Sequence, residues 1–296
     1  MTKMLKLISF IASVLLLTNL AKAQNSISEY VDSYVGENAI PYVQPLADIF
    51  TQSINTGVWD WSEIEKDFYL RLKLQGMISF PTSDMQSFTG TTTGDFRPTQ
   101  TMVVPTIIGD ENSISLQGNN NAVYVFPGGL DMQQVILGTP QITVGGFLNS
   151  EVTARFLAFP IGDNVDKVRF YGLGARHSIS NYFTDSPIDV SVGYMYHHTK
   201  ADDYLTSNQH LISGHIGRSG KILSGQLMLG YQVSDSDLHY VYSDGNTTTD
   251  VSLQLKNENP FIMEAGLGVK LGPVLASTSV SYSNHVAAAV GLGISF

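Results

Sequence analysis

The chain has 296 residues, and its 26 acidic residues outnumber 16 Lys and Arg residues, for a formal net charge of −10. This balance argues against nucleic acid as a partner, because binding to phosphate needs a basic surface. The lack of cysteine excludes disulfides, thiolate metal ligands and a cysteine-linked lipid anchor. Only 14% of the residues are charged, compared with about a quarter in soluble chains. Together with 27 Gly and 14 Tyr, this favours a strand-rich membrane wall with an aromatic belt.

The first 23 residues predict an export signal. Lys3 and Lys6 precede an apolar run from Leu7 to Leu17, and the small-x-small site Ala21–Ala23 comes directly before Gln24. The apolar run is too short to span a membrane. No later run of 18 apolar residues predicts a transmembrane helix. The exported product is therefore expected to be periplasmic, secreted or a barrel.

Residues 24–62 are expected to form a helical segment. Ser26 and Glu29 have the spacing of a capping box, and apolar residues then recur at helical spacing up to Val35. A second amphipathic stretch ends at Gly57. Neither helix has a strand partner of its own, so both are expected to pack on a barrel wall or in its lumen as a plug.

From Asp67 onward the hydrophobic period changes from 3.6 to 2. Since neighbouring strand side chains point to opposite faces, one face of each strand is apolar and the other is polar. A basic residue facing lipid at the bilayer midplane costs roughly 2–4 kcal/mol, so the charged parity is expected to face a wet lumen. This alternation recurs in residues 67–78, 189–197, 223–233, 249–256, 261–271 and 274–282.

These patterns predict an all-β transmembrane antiparallel barrel over residues 63–296. The last strand, VAAAVGLGISF, has one apolar and one small-residue face and ends on the aromatic Phe296, as outer-membrane barrels do. About 14 strands are predicted, with 10 or 12 as open alternatives, and both termini are expected on the periplasmic side. The strands are placed near 67–79, 98–108, 113–125, 140–147, 149–159, 168–181, 187–198, 206–218, 221–233, 237–243, 249–256, 261–271, 274–282 and 285–296.

Four charged residues of the polar parity form the candidate binding set: Arg71, Lys73, Glu264 and Lys270. We expect them to face the lumen and either hold the helical segment or line a conduit for a substrate. The alternative is that they form ordinary salt bridges that stabilise a narrow barrel.

No metal, cofactor or catalytic site is predicted. His197 and His198 are adjacent, so they should point to opposite faces of their strand. Ser213 and His215 share a parity, but no nucleophile elbow and no complete acid–base–nucleophile set accompanies them. The chain is therefore not expected to be an enzyme.

The pattern PYVQPLADIFTQSINTGVWDW at residues 41–61 and the terminal GLGISF resemble an uncharacterised Bacteroidetes-type family of outer-membrane barrels. That family is distantly similar to the long-chain fatty acid (FadL-like) outer-membrane transporters. The resemblance implies passage of hydrophobic molecules through a plugged barrel with a lateral opening. No functional residue is carried over, because the chain lacks a plug motif of the Asn-Pro-Ala-Gly type.

The sequence thus predicts passive transport of small hydrophobic molecules across the cell outer membrane. A non-transporting structural or surface-interaction barrel is the alternative, with loops Phe80–Arg97 and Phe126–Thr139 as its contact surface. The expected partners are outer-membrane lipid, small hydrophobic ligands and the barrel-assembly machinery, which would bind the strand ending in Phe296.

Overall fold

The computed structural model describes residues 36–94, 96–161, 165–183, 186–201, 203–243 and 248–296. Their α-helix is α1 (Ala39–Asn55), and short 3₁₀ turns lie at Ser83–Met85, Asn119–Asn121 and Ser180–Tyr182. The strands are β1 (Tyr69–Phe80), β2 (Ser87–Thr91), β3 (Thr101–Pro105), β4 (Ile114–Gln117), β5 (Val123–Phe126), β6 (Val135–Phe147), β7 (Ser150–Ile161), β8 (Val165–Ser178), β9 (Asp189–Ala201), β10 (Leu205–Ser219), β11 (Leu223–Ser243), β12 (Thr248–Lys256), β13 (Phe261–Leu271), β14 (Val274–Tyr282) and β15 (Val286–Ser295).

Ten of the strands close into an antiparallel barrel. The ring order is β1-β6-β7-β8-β9-β10-β11-β13-β14-β15, and β15 returns to β1. At this closure Leu72 pairs with Ile294, and the backbones of Leu70 and Phe296 exchange two hydrogen bonds. The barrel has two openings. We call the one at the start of β1 and the finish of β15 the near end, and we call the opposite one the far end. The predicted all-β barrel is confirmed.

The two faces of the wall follow the predicted alternation. On β1, Arg71 and Lys73 point into the lumen and are buried, whereas Leu72 and Leu74 lie on the outer face and are exposed. Apolar side chains are exposed along the rest of the ring in the same way. Representative outer-face residues are Ile142, Val152, Leu173, Ile212, Leu227, Leu267, Val280 and Val290. An exposed apolar band around a polar lumen is the pattern of an outer-membrane barrel.

The predicted number of about 14 strands is wrong, although ten lies within the range left open. Predicted strands 98–108 and 113–125 are not in the wall. Residues 101–105 pair with β2, and residues 114–126 fold into the β4–β5 hairpin. These short strands bury apolar residues such as Val104 and Phe126 against α1 and loop residues, so their apolar character reflects a small core outside the ring.

The other two surplus strands come from the region of β11. Predicted strands 221–233 and 237–243 are a single strand, because Ser234–Asp237 continue the ladder to β10 without a turn. β12 pairs with Asp235–Ser243 at the end of β11, and it forms an eleventh strand of the sheet that is not part of the closed ring. The long β11 and β12 therefore project past the far end of the barrel.

A small domain covers the far end, and we call it the far-end cap. It consists of the β2–β3 and β4–β5 hairpins and their loops, residues 81–134. Its apolar core also includes the first half of α1 and two residues of β12. The buried members are Ala39, Tyr42, Val43, Ile49, Met85, Val104, Ile107, Ile108, Phe126, Leu253 and Leu255.

The first predicted helix, over residues 26–36, and the predicted signal peptide 1–23 lie outside the described residues, apart from Gly36. The second predicted helix corresponds to α1. It ends where Gly57 takes a positive φ of 65°. The described chain begins beside the far-end cap, at the opposite end of the barrel from the start of β1. The first strand of the ring, β1, begins at the near end, and the last strand, β15, ends there. Residues 36–65, which precede β1, enter the barrel from the far end.

Candidate functional site: a plug in the barrel lumen

Residues 36–65 run through the lumen from the far end to the near end, and we call them the plug. At the far end the side-chain amide of Asn38 donates a hydrogen bond to the carbonyl of Thr91 in the cap, at 2.7 Å. At the near end the carbonyl of Ile64 accepts a hydrogen bond from Asn181, at 2.9 Å. Asn181 lies in the turn between β8 and β9. The plug therefore spans the height of the barrel.

The second half of α1 is attached to the wall by polar side chains. Gln52 donates to the carbonyl of His285 at 2.9 Å, in the turn between β14 and β15. The hydroxyl groups of Ser53 and Ser79 are 2.6 Å apart, and Ser79 belongs to β1. All four residues are fully buried. These contacts fix the helix against the strands at which the ring closes.

Gly57 connects α1 to the extended half of the plug and is bound on both sides of its backbone. Its N–H donates to a carboxylate oxygen of Glu264 at 2.7 Å, and its carbonyl accepts from Arg155 at 2.8 Å. The same guanidinium donates to the carbonyl of Ile54 at 2.6 Å. A Cβ at position 57 would lie 2.5 Å from the side chain of Gln75. Position 57 therefore needs glycine both for its φ and for its space.

Two tryptophans of the plug fit against glycines of the wall. A Cβ at Gly193 would lie 2.9 Å from the ring of Trp59, and a Cβ at Gly268 would lie 2.9 Å from the ring of Trp61. Trp59 also meets the ring of His215 edge-on, with centroids 5.2 Å apart. The sequence Trp-Asp-Trp and the small residues of the wall are thus complementary in shape.

Buried ion pairs and charged hydrogen bonds hold the segment between the tryptophans. The carboxylate of Asp60 contacts the ammonium of Lys73 at 2.5 Å, and both side chains are almost completely buried. The carbonyl of Trp61 accepts from Arg176 at 2.6 Å. Arg176 also donates to Glu151 at 2.8 Å. Removing one partner of a buried pair would leave an uncompensated charge, so each of these charges needs its partner as long as the plug is docked.

Glu65 closes the network at the near end. Its carboxylate bridges Arg71 at 2.9 Å and Lys270 at 3.1 Å. Each of the four predicted charged residues therefore contacts the plug, since Lys73 binds Asp60 and Glu264 binds Gly57. Salt bridging within the wall occurs too, because Arg71 also lies 3.7 Å from Glu151. Binding of a substrate by these residues stays a prediction.

Sequence reasoning missed three residues of the network: Glu151, Arg155 and Arg176. All three have the lumen-facing parity of β7 and β8 and are at most 1% exposed. The signal available in the sequence was that these three charged residues share the polar parity of their strands. Extending the parity argument from β1 through β7 and β8 would have placed them beside Arg71 and Lys73.

The histidines are placed as their parity predicts. His197 is buried in the lumen, and His198 lies on the outer face. Ser213 and His215 are hydrogen-bonded at 2.9 Å, but the other ring nitrogen of His215 has no partner in the described part of the chain. Trp59 covers this serine–histidine pair, and no group among the described residues orients its imidazole. The described residues contain no group of three or more His, Cys, Asp or Glu that could hold a metal ion.

The described plug leaves little free space around its Trp-Asp-Trp segment. A cavity of about 10 Å³ lies there, lined by Trp59, Asp60, Arg71, Glu151 and Arg176 among others. This is room for about one water molecule. The residues around this cavity therefore pack closely on the plug and can hold it in place.

The fold and the lumen together define the class of this protein as a plugged β-barrel of the outer-membrane type. The chain belongs to a family of unknown function, DUF6588, whose model matches residues 1–296. No curated protein matches the chain. Among the described residues, no helix is both long and apolar enough to cross a membrane.

Several solved structures are similar to this chain. The N-terminal barrel domain of Pseudomonas aeruginosa OprF is 16% identical, with 50% of this chain and 98% of that chain covered and a TM-score of 0.25. The outer membrane protease OmpT of Escherichia coli is 9% identical, with 79% and 98% covered and a TM-score of 0.30. The toluene transporter TbuX of Ralstonia pickettii is 10% identical, with 78% and 89% covered and a TM-score of 0.27.

Proposed function

We propose that this protein is a non-transporting barrel of the outer membrane, closed by its own plug and presenting the far-end cap at the cell surface. The near end would face the periplasm, because it has the short turns Leu148–Asn149 and Gly272–Pro273, whereas the long connection between β1 and β6 lies at the far end. The observation that carries the proposal is the continuous, anchored course of the plug through the lumen.

The strength of the anchoring supports a plug that stays in place. Arg155, Arg176, Lys73 and Glu264 each contact the plug through a charged group. Hydrogen bonds to charged groups contribute roughly 1.5–3 kcal/mol each. Trp59 and Trp61 are each 3% exposed, and a buried aromatic ring removes about 150–250 Å² from water. Release of the plug would give up all of these contacts together.

The far-end cap is the part of the molecule suited to contact a partner. It includes most of the two loops predicted as a contact surface, Phe80–Arg97 and Phe126–Thr139. Val103, Val123 and Val125 are more than half exposed on its two-stranded sheets. Two-stranded sheets keep free edges, and exposed edges pair readily with other chains.

A disulfide between the plug and the wall tests the proposal. The chain has no cysteine, and the hydroxyl groups of Ser53 and Ser79 are 2.6 Å apart. The double variant Ser53→Cys/Ser79→Cys would attach α1 to β1 once oxidised. Uptake of a hydrophobic dye into vesicles that contain the protein is the measurement. We expect no uptake above empty vesicles, and the same result with and without reductant.

The matched control is Thr143→Cys/Thr153→Cys, whose hydroxyl groups are 2.9 Å apart on β6 and β7 and which leaves the plug unattached. A static plug would be contradicted if the native protein and both reduced variants took up the dye, and if oxidation stopped uptake by the plug variant but not by the control variant. That result would support the second candidate function instead.

That second candidate is passive transport of small hydrophobic molecules, with movement of the plug. A specific observation favours it: an apolar cluster occupies the lumen around Trp59. Its members are Val58, Trp59, Met195, Leu211, Met228 and Ile262. Methionine side chains adapt to irregular apolar ligands, so a shifted plug would expose a surface on which a hydrophobic molecule could rest.

A further inference from the structure

A groove of about 570 Å³ runs across the outer face of the wall from β9 to β14. The floor of the groove is at Gly214, where a Cβ atom would have no other atom within 4 Å. Val192 and Leu229 pair with Gly214 on either side, and Met263 pairs with Leu229. These three side chains are at least half exposed. The missing side chain of Gly214 therefore opens a long apolar depression in the lipid-facing band.

Polar aromatic residues follow on the same face of β9 and β10, towards the far end. The hydroxyl of Tyr194 and a ring nitrogen of His210 are 2.7 Å apart. Asn208 accepts from the hydroxyl of Tyr196 at 2.7 Å and lies 2.9 Å from a ring nitrogen of His198. Aromatic side chains with a polar tip are typical of the interface between lipid and water. The boundary between hydrocarbon and headgroups is therefore expected at the level of His198 and Asn208, which pair with each other.

A basic pair lies beyond the aromatic residues, again on the outer face. Arg169 on β8 pairs directly with Lys200 on β9, and both are exposed. Lys200 forms an ion pair with Asp203 at 3.9 Å, but Asp203 is fully exposed and compensates little of this charge. Two adjacent positive charges on a chain of net charge −10 form a local site for a phosphate.

The spacing of the groove and the basic pair matches one lipid molecule. His198, two residues before Lys200 on β9, lies six residues beyond Val192 of the groove, which corresponds to about 20 Å along a strand. With a strand tilt of about 40°, this is about 15 Å along the barrel axis. Half of the hydrocarbon core of a bilayer is also about 15 Å thick. A phosphate at Arg169 and Lys200 would therefore place its acyl chain at the depth of the groove.

We propose that β8–β14 bind one phosphorylated lipid of the surrounding outer leaflet, with its phosphate at Arg169 and Lys200 and an acyl chain in the groove at Gly214. A membrane lipid is the occupant because the groove is apolar and opens to the bilayer. The inference rests on the membrane location in the proposed function, and it is independent of whether the plug moves.

Lipid selectivity of the purified protein tests the proposal. The folded barrel in detergent is mixed with equal amounts of phosphatidylglycerol and phosphatidylcholine, and retained lipids are counted by native mass spectrometry. We expect the native protein to prefer phosphatidylglycerol. Arg169→Gln and Lys200→Gln should each reduce this preference roughly fivefold. Gly214→Leu should lower retention of both lipids, and Gly214→Ala should lower it less.

The controls are Gly76→Leu, on the outer face of β1, and Lys221→Gln, in a near-end turn. A Cβ at Gly76 makes only ordinary contact, 3.6 Å from Val290. Every variant is first checked for heat-modifiable gel mobility, which reports a folded barrel. Unchanged selectivity after Arg169→Gln and Lys200→Gln, or equal retention by the Gly214→Leu and Gly76→Leu variants, overturns the proposal. Displacement of the lipid by excess glycerol phosphate also overturns it, since a simple anion site would then suffice.

Discussion

The backbone N–H of Gly57 donates a hydrogen bond to the carboxylate of Glu264 at 2.7 Å, across 207 residues of sequence. This contact joins the turn after α1 to the middle of β13. Arg155 binds the carbonyl of the same glycine from the other side of the lumen. One residue of the plug is thus held between two charges of opposite sign, which fixes the point where the helix gives way to the Trp-Asp-Trp segment.

Gly57→Ala should loosen the plug and leave the barrel folded. The substitution combines a strained positive φ with a Cβ 2.7 Å from that of Ala289. We expect a cost of about 1–3 kcal/mol in plug docking, seen as faster proteolysis within residues 36–65. Gly272→Ala is the control, because Gly272 also has a positive φ but no atom near its Cβ position. Equal protease resistance in the two variants would show that the tight fit at Gly57 is unimportant.

Arg155→Lys should release the segment around Gly57. The guanidinium of Arg155 donates to Ile54, Gly57 and Gln141 at once, and the single ammonium of lysine cannot reproduce this geometry. Hydrogen exchange of the amides of residues 54–61 is the measurement, and it should be at least about tenfold faster. Arg218→Lys, on the outer face of β10, provides a comparison that should leave these amides unchanged.

The Asp60–Lys73 pair should show strong coupling in a double-mutant cycle. Asp60→Asn leaves the buried ammonium of Lys73 without its counter-charge and is expected to cost about 3–5 kcal/mol. Lys73→Met alone leaves a buried carboxylate and should cost a similar amount. The double variant should recover at least half of the summed loss, measured by urea unfolding in detergent micelles. Additive losses would show that the two charges stabilise the plug independently.

The attachment of α1 at the far end should depend on pH through Asp48. Burial raises the pKa of Asp48 to about 6, although the hydrogen bond from the backbone N–H of Glu258 acts in the opposite direction. Because the folded state binds this proton more tightly than the unfolded state, the stability contribution is present at low pH and is lost as pH rises from about 4 to 6. Asp48→Asn should therefore stabilise the protein by about 1–2 kcal/mol at pH 8 and by much less at pH 4.

Asp48→Asn keeps the acceptor for the backbone N–H of Glu258, which lies 2.9 Å from the Asp48 carboxylate. Urea midpoints at the two pH values provide the measurement. Asp84→Asn, an exposed acid of the far-end cap, is the matched control. A gain for Asp48→Asn that is equal at both pH values would assign the effect to something other than this proton.

The wall itself could be predicted from local pattern. The alternation of Leu72 and Lys73 assigns each to one face, because a charge facing lipid is costly and a charge facing water is not. The same argument assigns the faces of the long strands at the depth of the apolar band. It located the terminal strand to within one residue at each end, since β15 is Val286–Ser295. It failed between residues 98 and 125, where apolar alternation is equally compatible with a barrel strand and with a small cap that packs against a helix.

The sequence by itself determined an apolar outer face, a polar lumen and a helical segment before the first strand, because side-chain period and the solvation of charge act within a few residues. Only the tertiary structure decided the ring of ten strands, the entry of the plug from the far end and the meeting of Gly57 with Glu264 and Arg155. Those features depend on which distant strands pair and on which cavities the wall leaves for Trp59 and Trp61. Such contacts are set by the shape of the closed barrel, which no short stretch of sequence contains.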